Sequence, residues 1–316
     1  MTINSNDNHL QLTAQGLLSE ANHRQITAYI HAGTAESTKK AYRSDFAHFI
    51  AWGGLVPASP ETITAYITEH AGHLKSTTLS RRLVSIGRAH TTRGLLNPCE
   101  SDLVRATFQG IKRIHGMASR QVAPAVREDI LQMVAGLHGV KGVRDRALLL
   151  LGFAGAFRRS ELVSLTVADL EFVDRGLVVH LRRSKTDQEG VGRKIAIPFA
   201  RGSVCPVQAI RDWLTTSGIS DGPVFCPVTR HGRIDSSPLS GHAVAEIVKA
   251  RARAAGLNPA NYSGHSLRAG LITSAAMRGV SVWKIKAQSG HRTDAMVSRY
   301  IRDADLFTNN AAGAVL

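Results

Sequence analysis

The sequence predicts a mainly α-helical protein with two domains: an N-terminal all-α bundle and a C-terminal α-rich domain that carries a small antiparallel β-sheet. Apolar residues recur at helical spacing through most of the chain. Alternating apolar and polar residues, typical of strands, occur only between about residues 177 and 198. With 316 residues, 43% of them hydrophobic, the chain can build a core in each domain.

The N-terminal domain is predicted to cover residues 17–116, after a polar segment, 1–16, that we expect to be a flexible tail. Its first helical pattern covers 17–31, and four more follow. The third begins at Ser59-Pro60, where a capping residue precedes a proline at the first helical position. The other three begin near Ser37, Ser76 and Ser101. No segment before residue 116 has the alternation of a strand, so an all-α bundle is predicted.

The periodicity lapses before the C-terminal half, and residues 117–124 are predicted to be a linker. The second domain is expected over 125–305, followed by an apolar tail, 306–316. Its helical patterns cover 127–137, 144–157, 207–216, 240–255, 265–278 and 282–288. Two alternating runs, 177–183 and 194–198, predict the small antiparallel sheet.

The charge balance indicates a polyanionic partner. Lys and Arg number 39 against 24 Asp and Glu, which gives a formal net charge of +15 and an isoelectric point near 10.4. Residues 1–118 hold 12 basic and 8 acidic residues, whereas 119–316 hold 27 and 16, so the excess lies mainly in the second half. Nucleic acid is the first candidate partner, but ribosomal and membrane-surface proteins share such a balance, and charge alone does not separate these classes.

Cysteine usage and the terminus favour a cytoplasmic protein. Cys99, Cys205 and Cys226 show no CxxC spacing, so neither a disulfide framework nor a zinc site is predicted. Residues 1–16 lack the basic and apolar regions of a signal peptide. The longest apolar stretch, 147–157, is too short to cross a bilayer, so no membrane partner is expected.

The last quarter of the chain carries residues suited to phosphate chemistry. His265, Arg268 and His291 can bind an oxyanion, and Tyr300 supplies a phenol that can act as a nucleophile. Upstream, Arg158 precedes Ser160-Glu161-Leu162, and Lys185 lies in the turn after the first predicted strand. The motifs are Gly155-Ala156-Phe157-Arg158-Arg159-Ser160-Glu161-Leu162, Arg183-Ser184-Lys185-Thr186-Asp187, Ser263-Gly264-His265-Ser266-Leu267-Arg268 and Ser289-Gly290-His291.

The rest of the sequence narrows the kind of phosphoryl transfer. It has no GxxxxGK[ST] loop for ATP and no obvious carboxylate cluster for two metal ions. An enzyme that breaks and rejoins a nucleic-acid strand without ATP must store the energy of the phosphodiester bond, and a covalent enzyme-phosphate does so. Without ATP or metal ions, such an enzyme would neutralise the phosphate with fixed cationic side chains and hydrogen-bond donors. Neither a cofactor nor a metal is therefore predicted.

Each residue also has an ordinary interpretation. Arg158 and Glu161, three apart, would share a helix face, so Arg158 taken alone is explained as a surface arginine paired with Glu161. His265 and Arg268 have the same spacing, and a protein with 14 histidines can contain it by chance. Tyr300 could be a core tyrosine whose hydroxyl is satisfied by a neighbour.

Lys185 has an ordinary interpretation as well. Exposed hairpin lysines are common, and Lys194, on the far side of the same turn, is its competitor. A lysine desolvated beside phosphate can serve as a general acid, whereas Lys194 is better explained as a strand or phosphate-positioning residue.

In order, spacing and flanking residues, these motifs resemble those of the tyrosine site-specific recombinases, the phage integrase family, and of its Cre-type members in particular. The resemblance covers nearly the whole chain from about residue 17 and is most specific in 144–170 and 261–302. It implies that Arg158 and Arg268 bind the scissile phosphate and that Tyr300 attacks it to form a 3′-phosphotyrosyl bond.

The resemblance implies roles for the remaining site residues as well. His265 would handle the proton of the nucleophile, Lys185 would protonate the leaving 5′ oxygen, and His291 would donate a hydrogen bond to a phosphate oxygen. Glu161 would hold a neighbouring basic group. An arginine also stands at 159, where the family usually has an aliphatic residue, but the spacing to Ser160-Glu161-Leu162 favours Arg158 as the phosphate ligand.

The N-terminal domain resembles the family's core-binding domain, with basic helices against DNA. The resemblance implies double-stranded DNA with an inverted-repeat site and accessory DNA-bending proteins as partners. It also implies a homo-tetramer on two paired sites and strand exchange through a Holliday junction. The apolar tail 306–316 would contact a neighbouring protomer, with a free flexible end as the alternative. Two alternatives stay open, a type IB topoisomerase-like enzyme and a non-catalytic architectural protein. The candidate DNA contacts are Lys39, Lys40, Arg43, Lys75, Arg81, Arg82, Arg88 and Lys194.

Overall fold

A computed structural model describes residues 20–117, 122–182 and 192–304. The chain divides into two compact units, Met1–Arg120 and Gln121–Leu316. The boundary falls within the predicted linker, of which 118–121 lie outside the described residues, as do both predicted tails. None of the helices in the described ranges is both long and apolar enough to cross a membrane.

The first unit is helical throughout its described part, as the sequence predicts. Its helices are α1 (Glu20–Ala32), α2 (Glu36–Ala51), α3 (Pro60–Glu69), α4 (Ser76–Thr91) and α5 (Asp102–His115). The side chain of Ser59 accepts the Thr62 amide at the start of α3, and Ser101 accepts the Val104 amide at the start of α5. The buried core of this unit consists of Phe49, Ile63, Tyr66, Ile67, Leu79, Ile86, Val104 and Ile111.

The second unit combines helices with a three-stranded antiparallel sheet in the order β1-β2-β3. The helices are α6 (Arg127–Val134), α7 (Gly139–Ala154), α8 (Arg159–Ser164), α9 (Pro206–Ser217), α10 (Gly241–Ala254), α11 (Gly264–Met277), α12 (Val282–Ser289) and α13 (Asp294–Ala304). The strands are β1 (Leu170–Val173), β2 (Gly176–Leu181) and β3 (Arg193–Pro198). The mainly α class with a small antiparallel sheet is therefore confirmed.

Several details differ from the sequence-based expectation. Strand β1 was not predicted, because its four residues are too few to show alternation. A tight turn connects it to β2, which begins at Gly176 with a φ of +147°. The backbone of Gly176 lies against β3, and a Cβ there would lie 2.2 Å from the Ile197 carbonyl oxygen. Helix α7 begins five residues before the predicted start, and α13, which carries Tyr300, was not predicted as a helix.

Helix α11 is the central element for the candidate site. Its buried face, with Leu267 and Ile272, packs between α7 on one side and α12 and α13 on the other. The segment before α6 crosses α11 at Gly270, where a Cβ would lie 1.7 Å from the Ala125 carbonyl oxygen. Only glycine allows this approach, which fixes α11 in the unit.

Candidate active site

Helix α11 presents His265 and Arg268 one turn apart. The Ser263 side chain accepts the His265 amide at 3.2 Å, and Ser266 accepts the Ser263 amide at 3.0 Å, so the helix starts at a defined residue. The Arg268 side chain is almost completely buried and donates from Nη1 to the Ala156 carbonyl oxygen at 2.8 Å. Burial is the main cause that lowers the pKa of Arg268 to about 10, so it remains charged at neutral pH.

Arg158 precedes helix α8 and does not lie on its face, which corrects the expectation that it and Glu161 share a helix side. The Arg158 amide donates to Glu161 Oε2 at 2.9 Å, and its Nη1 donates to Oε1 at 2.5 Å. The Glu161 side chain is only 2% exposed. A buried carboxylate that binds both the backbone and the guanidinium of Arg158 fixes the direction of that side chain.

Arg193, the first residue of β3, also belongs to this cluster, and sequence reasoning missed it. Its Nη1 donates to the Gln288 carbonyl oxygen at 2.9 Å, and its Nη2 lies 3.4 Å from Glu161 Oε2. Desolvation lowers its pKa most, the Glu161 carboxylate raises it, and the Arg158 charge lowers it. A signal was present in the strand: Arg193 alternates with the buried Ile195 and Ile197 and therefore lies on the inward face.

Gly290 forms the turn at the end of α12, which borders the site. It has a φ of +67°, and a Cβ there would lie 2.6 Å from Arg193 Nη1. Any side chain would therefore be strained and would displace the guanidinium. The Gly290 carbonyl oxygen lies 3.5 Å from Arg158 Nη2, so this turn contacts two of the three arginines.

His291 is buried between Ser289 and Arg268. The Ser289 hydroxyl donates to the Ile285 carbonyl oxygen at 2.7 Å, so its oxygen is the acceptor for His291 Nδ1–H at 2.8 Å. This assigns the proton to Nδ1 and leaves Nε2 to accept from Arg268 Nη2 at 3.2 Å. Burial, followed by the charges of Arg268 and Arg158, lowers the pKa of His291 to about 3, so the ring is neutral at physiological pH.

Tyr300 reaches this cluster from α13. Its hydroxyl lies 3.0 Å from His265 Nε2, and its ring centroid lies 6.1 Å from that of His291. The ring packs beside a small apolar cluster that includes Ile272 and Val297. Desolvation raises the pKa of Tyr300, while the charge of Arg268 and then that of Arg299 lower it, so the phenol is protonated at neutral pH and needs a base to attack.

His265 has the properties of that base. Desolvation lowers its pKa first, followed by the charges of Arg268, Arg158 and Arg159, although the residue is still accessible to solvent. A neutral imidazole can accept the phenol proton through Nε2 at 3.0 Å. The structure thus brings together Arg158, Glu161, His265, Arg268, His291 and Tyr300 from residues distant in sequence.

Lys185 lies outside the described residues, and its general-acid role stays a prediction. Its competitor, Lys194, is exposed on β3 opposite His180, and strand alternation places it on the face away from Arg193. No group of three or more His, Cys, Asp or Glu side chains that could hold a metal ion occurs among the described residues. The prediction that the chemistry needs neither metal nor cofactor remains a prediction.

The candidate DNA contacts of the first unit separate into exposed and buried residues. Lys40, Arg43, Lys75, Arg81 and Arg88 are exposed, and Lys39 is half-buried. The expectation that Arg82 faces solvent or phosphate is wrong. Its Nη1 donates to the Tyr66 hydroxyl at 3.0 Å inside the bundle, because Arg82 shares the buried face of α4 with Leu79 and Ile86, three residues before it and four after.

The fold and this cluster define an enzyme of the tyrosine recombinase class. The family model described as "Phage integrase family" matches residues 123–306, and the chain belongs to that family. The "Integrase/recombinase xerD homolog" of Selenomonas ruminantium is 41% identical over 289 residues, which are 88% of this chain and 84% of the relative. The "Tyrosine recombinase XerC" of Xylella fastidiosa strain M23 is 28% identical over 249 residues, 73% of this chain and 74% of the relative.

Solved structures show the same fold. A lambda integrase dimer bound to a core site has a TM-score of 0.62 at 17% identity and covers 89% of this chain and 76% of that chain. The post-cleavage complex of XerH with a palindromic difH substrate has a TM-score of 0.59 at 13% identity, with coverage of 85% and 76%. The expected family and the expected DNA strand transferase activity are confirmed, and the Xer names make "Xer-like" a better description than "Cre-type".

Proposed function

We propose that the protein is a site-specific DNA recombinase that cleaves and rejoins strands through a 3′-phosphotyrosyl bond at Tyr300. The observation that carries this proposal is the 3.0 Å contact between the Tyr300 hydroxyl and His265 Nε2, directly beside Arg268. The contact supports the roles of nucleophile for Tyr300, base for His265 and phosphate ligand for Arg268, because the three side chains lie in one cluster. The solved relatives include recombinases bound to their DNA substrates, which supports duplex DNA as the partner.

Each step of the reaction has a residue suited to it. Arg158 and Arg268 neutralise the non-bridging oxygens of the scissile phosphate. His265 accepts the phenol proton as the Tyr300 oxygen bonds to phosphorus and the bond to the 5′ oxygen breaks. Lys185 protonates that leaving oxygen. Attack by the 5′ hydroxyl of another strand reverses these steps and returns the proton from His265 to Tyr300.

His291 and Glu161 prepare the site for this chemistry. The neutral His291 ring orients Arg268 through Nε2, and the negative charge of a bound phosphate will raise the pKa of the ring. Glu161 pairs with both Arg158 and Arg193 and so offsets part of their repulsion in a site that would otherwise hold three uncompensated guanidinium groups.

The finer assignment concerns the assembly and its purpose. In this proposal the protein acts as a homo-tetramer on two paired inverted-repeat sites, and strand exchange passes through a Holliday junction. Accessory DNA-bending proteins are its further partners. Integration, excision or resolution of a mobile element or plasmid is the corresponding biological role. The tail 306–316 would join protomers. An apolar groove of about 620 Å³ on the second unit, lined by residues such as Leu150, Phe153 and Ile285, supplies a surface for the apolar tail of a neighbour.

The variant Tyr300→Phe tests the nucleophile. It removes only the hydroxyl, so we expect normal DNA binding and complete loss of covalent capture on a nicked duplex that traps the cleaved strand. Denaturing gels measure the adduct and native gels measure binding. A Tyr300→Phe protein that still forms the adduct would show that another residue attacks the phosphate.

Two assays separate the proposed recombinase from a type IB topoisomerase-like enzyme and from a non-catalytic architectural protein. A topoisomerase-like enzyme would relax a supercoiled plasmid of arbitrary sequence, whereas a site-specific recombinase needs its own site. An architectural protein would bind DNA without a covalent adduct in the wild type.

A further inference from the structure

Arg81, on helix α4, is held in one orientation by a buried carboxylate. Its Nε donates to Asp45 Oδ2 at 2.6 Å and its Nη2 donates to Oδ1 at 2.9 Å. The Asp45 side chain, on α2, is only 3% exposed, whereas the Arg81 side chain is 51% exposed. A guanidinium on the surface is thus fixed in plane and direction from beneath, which exposed arginines ordinarily are not.

A second layer holds the carboxylate itself. Arg82 Nε lies 3.8 Å from Asp45 Oδ1, and Arg82 Nη1 donates to the Tyr66 hydroxyl at 3.0 Å and lies 2.9 Å from the His48 ring. Asp45 is the charge partner of the buried Arg82, so a carboxylate that moved away from Arg82 would leave a buried guanidinium without a counter-charge, which is strongly unfavourable. The network therefore favours one orientation of Arg81.

The bonds to Asp45 leave a specific part of Arg81 available. They use Nε and one N–H of Nη2, so the terminal edge, with N–H groups on Nη1 and Nη2, remains for another acceptor pair. Two parallel donors at this spacing match O6 and N7 of guanine in the major groove. A phosphate contact works from many orientations and would not require such a support.

The surrounding face of α4 has the composition of a base-reading surface. Thr77, Arg81, Val84 and Arg88 are exposed at spacings of four, three and four residues, so they form one stripe along the helix. The α4 sequence contains no Asp or Glu that would repel DNA. Val84 is 54% exposed, and an apolar side chain in such a position can contact the methyl group of thymine.

We propose that Arg81 reads a guanine in each half of the recombination site, and that Asp45 is the positioning residue that makes this reading specific. This inference rests on the proposed function, because it requires that the first unit bind duplex DNA. It goes further by assigning sequence discrimination, and not affinity alone, to one arginine and its carboxylate.

The test begins with the full-length protein and a pool of duplexes that contain a randomised segment. We expect wild-type selection to enrich a site with one G·C pair that Arg81→Ala no longer prefers, while the other positions keep their preference. The expected loss at that pair is about tenfold to a hundredfold. Arg81→Lys keeps the charge without the fork, so it should lose the same preference while its affinity for duplexes that lack the preferred guanine stays nearly normal.

Two further measurements identify the contact. Replacing the guanine by 7-deazaguanine removes the N7 acceptor, so it should weaken wild-type binding and leave Arg81→Ala unchanged. Asp45→Asn should lose the preference for the G·C pair. In a double-mutant cycle, adding Asp45→Asn to Arg81→Ala should cause no further loss of that preference. The control Lys40→Ala, an exposed lysine of α2, should weaken binding evenly at all sequences.

The possible outcomes separate this inference from the proposed function. If Arg81→Ala weakens all sequences evenly and the base preference persists, Arg81 is a phosphate contact and the inference is wrong, while recombination remains supported by the covalent adduct. If the wild type selects no sequence and forms no adduct, the proposed function fails and the inference fails with it. If the Asp45→Asn protein does not fold, the Arg81 variants and the 7-deazaguanine substitution still test whether Arg81 contacts guanine.

Discussion

At the scale of single residues, one buried carboxylate organises the positive charge of the active site. Glu161 binds Arg158 through both its amide and its guanidinium and approaches Arg193, while Arg268 is held by the Ala156 carbonyl oxygen. Three guanidinium groups thus share one negative charge before substrate binds. A phosphate diester adds the missing negative charge, which explains how a site without a protein counter-ion for each arginine can bind it.

Arg158→Ala and Arg268→Ala should each lower the single-turnover cleavage rate by about 10² to 10³, the scale for removing one preorganised oxyanion donor. Arg159→Ala is the matched control, since Arg159 is exposed and does not bind Glu161 in the described contacts. We expect its effect to be much smaller. An Arg159 effect equal to that of Arg158 would reverse their assignment.

The pKa of His291 gives a second residue-scale prediction. In the free protein the ring should stay neutral down to about pH 3, because burial and then Arg268 disfavour its charged form. Adding a DNA site should raise this pKa, since the phosphate charge favours the protonated ring. Histidine NMR titrations, with His291→Asn to assign the signal, measure both values. A ring that titrates near 6.5 in the free protein would contradict the neutral, buried state.

At the scale of elements, the sequence revealed those features that depend on local patterns. The helices of the first unit begin near predicted caps such as Ser59 and Ser101, and the motif residues lie on elements that converge. Features that depend on distant partners were missed: β1 exists through its pairing with β2, and Arg82 is buried because Tyr66 and His48 supply its partners. Arg193 was overlooked because its partners Glu161 and Gln288 lie far away in sequence.

Arg193 links strand β3 to the end of α12 and to Glu161, so it should align the site without touching DNA. We expect Arg193→Met to lower the cleavage rate by up to about 10², the effect of a small misplacement of reacting groups, with unchanged DNA affinity. Lys194→Met is a matched control, because its side chain lies on the exposed face of the same strand. A larger loss for Lys194→Met would place the functional cation at 194.

At the scale of the whole molecule, the two units have separate hydrophobic cores and different charge excesses. Phe49 and Ile63 belong to one core, and Leu148 and Trp213 to the other. Residues 1–120 have an excess of five basic residues and residues 121–316 an excess of ten. Separate cores allow each unit to be examined alone, and the shared sign of the charge predicts that both contribute to binding one polyanion.

Binding of the intact chain to duplex DNA should therefore depend steeply on salt. Each phosphate contacted contributes about −0.9 to the slope of log affinity against log salt, because bound counterions are released. Fragments 1–116 and 121–316 should each bind more weakly and with a smaller slope, since the linker makes the second contact intramolecular. Titrations at several salt concentrations measure both. If 121–316 alone matched the intact chain in affinity and slope, the first unit would make no DNA contact, and neither a core-binding role nor base reading by Arg81 could stand.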